Sequence, residues 1–325
     1  MRASSSPRVL CAGETMAMVV PARRERLRTA QDFLLGTGGA ESNVAMYLAD
    51  YGARVSWFSA LGADALGDRI LDVIAGRGVD VSLVRRDTAH PTGLYVKDPR
   101  PDGTSVRYYR AGSAASFLDA VSLDAVPVEE FDLVHVSGIT PALSASAAAL
   151  MDRLFGLARD RGVRLSFDVN FRPGLWDAGT AAPVLSALAR RADIVFAGQD
   201  EAATLWGVST PEKAAEVLSG QAPTATGQDG AEPGRAPEDP LIVIKDADRG
   251  ATEVSGNDSV FVPALPVEVV EHVGAGDAFA AGYLAALLAG EASKERLAAG
   301  HRAAAWTLGV MEDYRPLPES AARWT

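Results

Sequence analysis

Near the end of the chain, Gly274-Ala275-Gly276-Asp277 is followed at once by an apolar run, 278–289. A glycine-rich turn that leads into a helix presents free backbone N–H groups, with the positive end of the helix dipole behind them. This arrangement predicts an anion site. Asp277 adds a carboxylate that can accept a proton from a hydroxyl group. A structural alternative stays open, because Asp is also a preferred N-cap residue.

A second glycine-rich helix start lies near the beginning of the chain, where GGAESN at 38–43 precedes the apolar run 44–48. Two such turns at opposite ends of the sequence indicate that the backbone approaches a ligand at both. Between them, DVNFR at 168–172 begins with the last residue of a predicted strand. In α/β proteins, ligands bind at the carboxyl ends of the strands.

The elements that position these residues alternate between strand and helix. The predicted strands are 8–12, 55–60, 133–136, 164–168, 193–197 and 241–245. The predicted helices include 42–51, 64–77, 144–161 and 200–206. Alternation at this spacing indicates βαβ units, and so an α/β fold with a mostly parallel sheet covered by helices on both faces.

Two stretches, 16–36 and 91–110, break this alternation. The second contains two strand-like runs around a Pro-Asp-Gly turn, a pattern typical of a β-hairpin. We expect a small antiparallel sheet, drawn from about 14–37 and 91–113, that caps a pocket. The segment 219–240 has almost no large apolar side chains, which predicts a mobile surface insertion.

Composition indicates one globular domain over residues 1–325, with 48% hydrophobic and 22% charged residues. The net charge of −11, without a basic stripe, argues against a nucleic-acid partner. A single cysteine, Cys11, cannot form an internal disulfide and fits a reducing cytoplasm. The run 278–289 is shorter than the ~20 residues needed to cross a bilayer, so no membrane association is expected.

Together, GGAESN at 38–43, DVNFR at 168–172 and VGAGDAFAAG at 273–282 resemble the ribokinase or PfkB family of carbohydrate kinases. The resemblance covers nearly the whole chain, and it implies a ribokinase-like fold with a β-sheet lid. It also implies ATP and Mg²⁺ as cofactors, Asp277 as the catalytic base, and an anion hole formed by Gly274, Ala275 and Gly276. Phosphoryl transfer needs mainly positioning and charge neutralisation, which such residues supply.

Within that family, the order of tyrosines and arginines is most similar to 2-keto-3-deoxygluconate kinases. The resemblance assigns the sugar acid to Gly38, Gly39, Asn43, Tyr95, Tyr108, Arg110, Arg172 and Asp313. A carboxylated substrate explains two arginines, because guanidinium binds carboxylate through charge-assisted hydrogen bonds. Two structural alternatives stay open: the tyrosines are simply favoured in strands, and Arg172 pairs with Asp168 or Asp177.

The resemblance further assigns the nucleotide to Lys245, Gly250, Gly274, Gly276 and His301, with an indirect metal role for Glu201. Lys245 is equally compatible with a strand-end lysine that reaches solvent, and His301 with a packed or exposed helix residue. The chain departs from the family twice. It has Glu271-His272 instead of the acid–Thr pair, and Gly198-Gln199-Asp200-Glu201 instead of Asn-x-x-Glu. The first departure leaves monovalent-cation activation open.

The sequence therefore predicts an ATP-dependent kinase that phosphorylates a hydroxyl of 2-keto-3-deoxygluconate. One alternative is a fructokinase or another neutral-sugar kinase of the family. A second is a catalytically silent, sugar-binding regulator, against which the retention of Asp277 and its glycines argues. Exposed strand edges in the expected lid favour pairing into a homodimer.

Overall fold

The computed structural model describes residues 6–100, 103–220 and 239–324. Most of the predicted insertion, residues 221–238, and the first two residues of the predicted Pro-Asp-Gly turn lie outside them. The strands are β1 (Arg8–Ala12), β2 (Met16–Pro21), β3 (Phe33–Gly38), β4 (Arg54–Gly62), β5 (Val84–Asp87), β6 (Leu94–Arg100), β7 (Gly103–Tyr109), β8 (Leu133–Ser137), β9 (Arg164–Asp168), β10 (Ile194–Gly198), β11 (Leu241–Asp246), β12 (Gly250–Ser255) and β13 (Asp258–Pro263). The helices are α1 (Ala40–Asp50), α2 (Ala65–Ala75), α3 (Ala145–Arg161), α4 (Ala178–Ala189), α5 (Gln199–Trp206), α6 (Pro211–Ser219), α7 (Ala275–Leu288) and α8 (Ser293–Leu308).

A nine-stranded sheet runs through the molecule in the order β13-β12-β11-β10-β9-β8-β1-β4-β5. The seven strands from β11 to β5 pair in parallel, and β12 and β13 extend one edge in antiparallel fashion. Every residue of β8 and β10 is buried, as expected when helices cover both faces of a parallel sheet. The predicted α/β fold class is confirmed.

Helices pack on both faces of this sheet and divide the core in two. Buried residues of α3, α4, α5 and α6 join the core on one face, around Phe155 and Phe167. Those of α1, α2, α7 and α8 join the core on the other, around Tyr47, Trp57 and Tyr283. The alanine-rich run that follows Asp277 is the buried part of α7, as predicted. In the described part of the chain no helix is long and apolar enough to span a bilayer.

A separate four-stranded sheet, which we call the lid, has the order β3-β2-β6-β7. Its strands lie in the two stretches that break the alternation. The outer pairs are antiparallel, but the central pair β2–β6 is parallel, so the prediction of an entirely antiparallel sheet was wrong there. Pairing between distant segments is set by the tertiary fold rather than by a local turn. Near the start of β7, Thr104 Oγ1 donates a 2.8 Å hydrogen bond to Glu271 in the segment before α7.

Candidate active site

A cavity of about 630 Å³ lies between the lid and the edge of the large sheet where its parallel strands end. Its wall comes from the lid, from the ends of β9, β10 and β11, and from the first turns of α1 and α7. This volume suits a small organic ligand. The site residues predicted from the sequence that line it are Gly38, Gly39, Asn43, Tyr95, Tyr108, Arg110, Arg172, Glu201, Lys245, Gly274, Gly276, Asp277 and Asp313.

The start of α7 supplies the glycine-rich turn. Gly274 is the N-cap residue, with φ of 86°, a left-handed conformation that favours glycine. A Cβ there would also collide with the carbonyl oxygen of Asp313. The N–H of Ala275 makes a long hydrogen bond, 3.4 Å, to the carbonyl three residues earlier. The amides of Gly276 and Asp277 are therefore the better placed of the first-turn groups to bind an anion.

The two glycine-rich helix starts meet at Asp277. Asn43 Nδ2, in the first turn of α1, donates to Asp277 Oδ2 at 2.8 Å. Burial raises the pKa of Asp277 to about 7; the hydrogen bond from Asn43 opposes this rise and the neighbouring Asp168 adds to it. A carboxyl group that titrates near neutrality beside a cavity is suited to accept and return a proton.

Lys245, at the end of β11, points into the cavity. Its Nζ lies 2.9 Å from Asp168 Oδ2, and a Cβ on Gly276 would contact that nitrogen at 3.5 Å. Burial opposes the charge on Lys245, but the carboxylates of Asp168 and Glu201 outweigh it and raise the pKa of the lysine. A charged ammonium group thus lies beside the glycine-rich turn at the start of α7. The alternative of a lysine directed to solvent was wrong.

Arg172 is a cation in the cavity wall that makes no ion pair within the described residues, although its charge opposes the rise in the pKa of Asp277 and of Glu201. In the described part of the chain, the only hydrogen bond of its guanidinium group is a weak one, 3.4 Å, to the carbonyl of the preceding residue. The acids that could have neutralised it have other partners, because Asp168 binds Lys245 and Asp177 caps α4. The alternative in which Arg172 pairs with either acid was wrong. Its guanidinium group remains free to bind an anionic ligand.

Arg110 differs from Arg172 because it already has a buried counter-ion. Its Nε donates to Glu14 Oε2 at 2.7 Å, and a second guanidinium nitrogen contacts the same oxygen. Ser113 donates to the other carboxylate oxygen at 2.5 Å. Sequence reasoning missed Glu14, although its place just after β1 marks a strand's carboxyl end. Arg110 can still donate hydrogen bonds, but its charge is largely balanced.

Asp313 links the lid to the start of α7. Its Oδ2 accepts a hydrogen bond from the buried Tyr95 hydroxyl at 2.7 Å, and its Oδ1 lies 2.5 Å from Lys97 Nζ. A Cβ on Gly38 would collide with the Tyr95 hydroxyl and approach Asp313, so glycine keeps this corner open. Tyr108 is 39% exposed, and its ring centroid lies 5.9 Å from that of Tyr95, with the two rings tilted by 39°. These side chains form the lid's wall of the cavity.

Comparison with known proteins agrees with this geometry. A sequence profile of the pfkB family of carbohydrate kinases matches residues 6–320. The chain belongs to that family. A 2-dehydro-3-deoxygluconokinase of Bacillus subtilis (strain 168) is 35% identical over 94% of this chain and 91% of its own length. One from Thermoproteus tenax is 33% identical over 90% and 85%.

A solved structure supports the same assignment. The PfkB protein from Polaromonas sp. JS666 superposes with a TM-score of 0.82 at 32% identity, over 95% of this chain and 97% of that one. The family resemblance and the ribokinase-like fold expected from three short motifs are both confirmed. The roles of individual residues in this pfkB kinase remain predictions, to which the geometry above gives a physical basis.

Glu201 holds two backbone segments together at the cavity wall. Its Oε2 accepts the N–H of Gly198 and its Oε1 accepts the N–H of Phe171, both at 2.8 Å. Burial raises its pKa, and the nearby Asp168 adds to the rise. Both oxygens have backbone donors, which is compatible with the indirect metal role predicted for it. Gly198 leaves no side chain here, and a Cβ would collide with the carboxylate of Asp200.

Asn170 is a cavity residue that sequence reasoning did not single out. It has φ of 41°, in the left-handed region that non-glycine residues rarely occupy, and it is 6% exposed. Its Oδ1 is buried and has no hydrogen-bond partner in the described structure. A strained residue with an unpaired polar atom is typical of a ligand site. Its position in DVNFR, two residues after a strand end, was the available signal.

Two residues predicted to bind nucleotide lie elsewhere. Gly250 starts β12 with φ of 148°, and a Cβ there would collide with the carbonyl of Val262. His301 lies on α8, packs edge-on against Phe279, and contacts the same Val262 carbonyl at 3.0 Å through Nε2. Neither lines the cavity. The contacts give both a structural explanation, and their nucleotide role stays a prediction.

We expect the pH profile of this kinase to rise near neutrality. A base works only when deprotonated, and kcat/KM reports ionisation of the free enzyme. Because the pKa of Asp277 is about 7, kcat/KM for the sugar should increase with pH through about 7 and then level off. Asn43→Ala removes the hydrogen bond that opposes the rise, so its profile should shift to higher pH. Initial rates of ADP release test this; a plateau that extends down to the ordinary range of aspartate would contradict it.

Proposed function

We propose that this pfkB kinase transfers the γ-phosphoryl group of ATP to a hydroxyl of 2-keto-3-deoxygluconate. The observation that carries the proposal is that one cavity contains two groups: Arg172, whose guanidinium group has no ion-pair partner in the described residues, and the carboxylate of Asp277 in the first turn of α7. The first matches an acid substrate and the second matches phosphoryl transfer. Two relatives at 33–35% identity that carry the corresponding name add support.

In this proposal, the lid and the end of β9 hold the sugar acid. Arg172 binds the carboxylate of the substrate through charge-assisted hydrogen bonds. Arg110, fixed by Glu14, donates to a neutral oxygen, and Asp313 accepts from a hydroxyl. Tyr108 covers the sugar with an aromatic face. Binding in this way orients one hydroxyl towards Asp277 and excludes water.

In the same proposal, Asp277 accepts the proton of the sugar hydroxyl, and the start of α7 stabilises the negative charge on the transferred phosphoryl group. Asp277, held by Asn43, takes the proton as the sugar hydroxyl attacks. The amides of Gly276 and Asp277 face the negative charge that develops on the phosphoryl group, and the ammonium of Lys245 adds a fixed positive charge beside them. No covalent enzyme intermediate is required.

The cavity fits magnesium bound mainly through nucleotide phosphates. Mg²⁺ prefers oxygen ligands and keeps several waters, with one or two carboxylates. Buried oxygens without partners in the described structure, Oδ1 of Asp168 and Oδ1 of Asn170, belong to residues of the cavity wall. No cluster of three or more His, Cys, Asp or Glu residues able to hold a metal occurs in the described ranges. When bound, the ion neutralises phosphate charge, and Glu201 fixes the backbone around these oxygens.

A direct assay separates the candidate functions. ADP release is measured with 2-keto-3-deoxygluconate, fructose and ribose at matched concentrations, with the Asp277→Asn protein as the blank. The proposal predicts the highest kcat/KM for the sugar acid. Higher kcat/KM with fructose or ribose would replace it with a neutral-sugar kinase. Binding of a sugar without ADP release would replace it with a silent regulator.

The edge of the lid supports a homodimer. β3 is one of the two edge strands of the lid, and it carries three consecutive exposed apolar residues, Phe33, Leu34 and Leu35, at 45%, 48% and 38% exposure. An exposed apolar edge strand is normally covered, and a second copy of the chain supplies a matching edge. Leu34→Lys is expected to halve the mass measured by light scattering after size exclusion. Val121→Lys, on a surface residue 68% exposed, should leave the mass unchanged. A monomeric parent protein would contradict the proposal.

A further inference from the structure

Lys97 is a buried lysine outside the cavity wall. Its side chain on β6 is 0% exposed, and its Nζ lies 2.5 Å from Asp313 Oδ1 and 3.3 Å from the carbonyl of Met311. A buried ion pair is often no more stabilising than apolar residues of similar size. Packing alone therefore does not account for a lysine at this position.

Asp313, the partner of Lys97, lies between the lid and the start of α7. The carboxylate of Asp313 receives the Tyr95 hydroxyl from the lid, and it lies against Gly38 at the end of β3. The main-chain carbonyl of the same residue packs against Gly274 at the start of α7. A shift of Asp313 would therefore disturb the lid wall and the anion-binding turn together.

The ion pair between Lys97 and Asp313 also changes the electrostatic potential in the cavity. Three acids of the cavity wall have a cation each: Glu14 has Arg110, Asp168 has Lys245, and Asp313 has Lys97. An unpaired carboxylate in a cavity repels an anionic ligand more strongly than it would in water, because the local dielectric constant is lower. Lys97 cancels the charge of Asp313 from behind, and so lets an anion approach its front.

We propose that Lys97 is a positioning residue that determines specificity for an acidic sugar. It acts through Asp313, whose orientation it fixes and whose negative charge it balances. The inference rests on the proposed sugar-acid kinase function. It extends that function to a side chain that touches neither the substrate nor the cofactor.

Lys97→Met tests the inference because it keeps the length of the side chain and removes its charge. KM for the sugar acid is expected to rise about 10-fold or more, since loss of one partner leaves a buried carboxylate uncompensated. KM for a neutral sugar should rise less and KM for ATP should hardly change. Lys97→Arg, which restores the charge, should recover most of the affinity for the acid. Lys294→Met, on the exposed face of α8, is the matched control.

A merely structural role predicts a different pattern. Lower thermal stability with all three KM values unchanged, or equal losses for acidic and neutral sugars, would overturn the inference. If Lys97→Met does not fold, Lys97→Met with Asp313→Asn has no buried charge and replaces it. Its reference is Asp313→Asn alone, in which the positive charge of Lys97 is no longer balanced. KM for the acid should be higher in the double variant than in that reference, and KM for the neutral sugar should be the same in both; equal KM values for the acid would overturn the inference. The parent protein's preferred acceptor tests the proposed function separately.

Discussion

Asp277→Asn is expected to lower kcat by about two to four orders of magnitude, the usual contribution of a general base. The amide keeps the shape of the side chain but has no affinity for a proton at neutral pH. KM for the sugar and for ATP should stay within a few-fold of the parent values, because the cavity wall is unchanged. ADP release under saturating substrates measures the loss. Turnover within a few-fold of the parent would remove Asp277 from that role.

Stability provides the control for this variant. Folding raises the pKa of Asp277 from 3.8 to about 7, so the parent protein loses stability as pH rises through that interval. The amide carries no charge and avoids this loss. Asp277→Asn should therefore melt no lower than the parent at pH values above about 7, despite its low activity. Asp72→Asn, on the exposed face of α2, should change neither property.

Arg172→Ala is expected to separate acidic from neutral substrates. The variant loses charge-assisted hydrogen bonds worth about 1.5–3 kcal/mol, so KM for the sugar acid should rise about 10- to 150-fold. KM for fructose and for ATP should change little, since neither uses the carboxylate contact. Arg172→Lys keeps the charge but loses the planar guanidinium group, so its KM for the sugar acid should lie between those of the parent and of Arg172→Ala. Equal weakening of acidic and neutral sugars would exclude Arg172 as the carboxylate site.

Substitution of Arg110 cannot test carboxylate binding in the same way, although the sequence analysis assigned both arginines to the sugar acid. Arg110→Ala would leave Glu14 buried without its cation, and removal of one member of a buried pair is strongly destabilising. Loss of activity in that variant would therefore mix substrate binding with folding. The distinction between the arginines follows from their partners and is visible only in the folded chain.

Local patterns were sufficient for the elements that build the site. Strands such as β1 and β9 are short apolar runs, and the starts of α1 and α7 carry glycines at the positions where backbone approaches a neighbour closely. Edge strands were harder, because β5 has four residues, three of them charged, and β13 has exposed residues along its length. Such strands form because a neighbouring strand offers hydrogen bonds, a condition that no local pattern records.

Ion-pair partners were beyond the reach of sequence reasoning. Glu14 and Arg110 are 96 residues apart, and Lys97 and Asp313 are 216 apart. No periodicity or motif relates such positions, and each of the four is a common surface residue type when considered alone. The motifs predicted many of the residues that line the cavity, whereas the residues that hold them in place became apparent only from their contacts.

The hydrogen bond between Thr104 of the lid and Glu271 suggests how this kinase could limit hydrolysis of ATP by water. Glu271 Oε1 also accepts the N–H of His272, two residues before the N-cap of α7, so the lid and the phosphoryl site share one carboxylate. A sugar that holds the lid down thereby steadies the turn that must receive the phosphoryl group. Water cannot hold the lid in this way. In the proposed mechanism, closure of the lid by the correct acceptor would thus disfavour wasteful hydrolysis of the nucleotide.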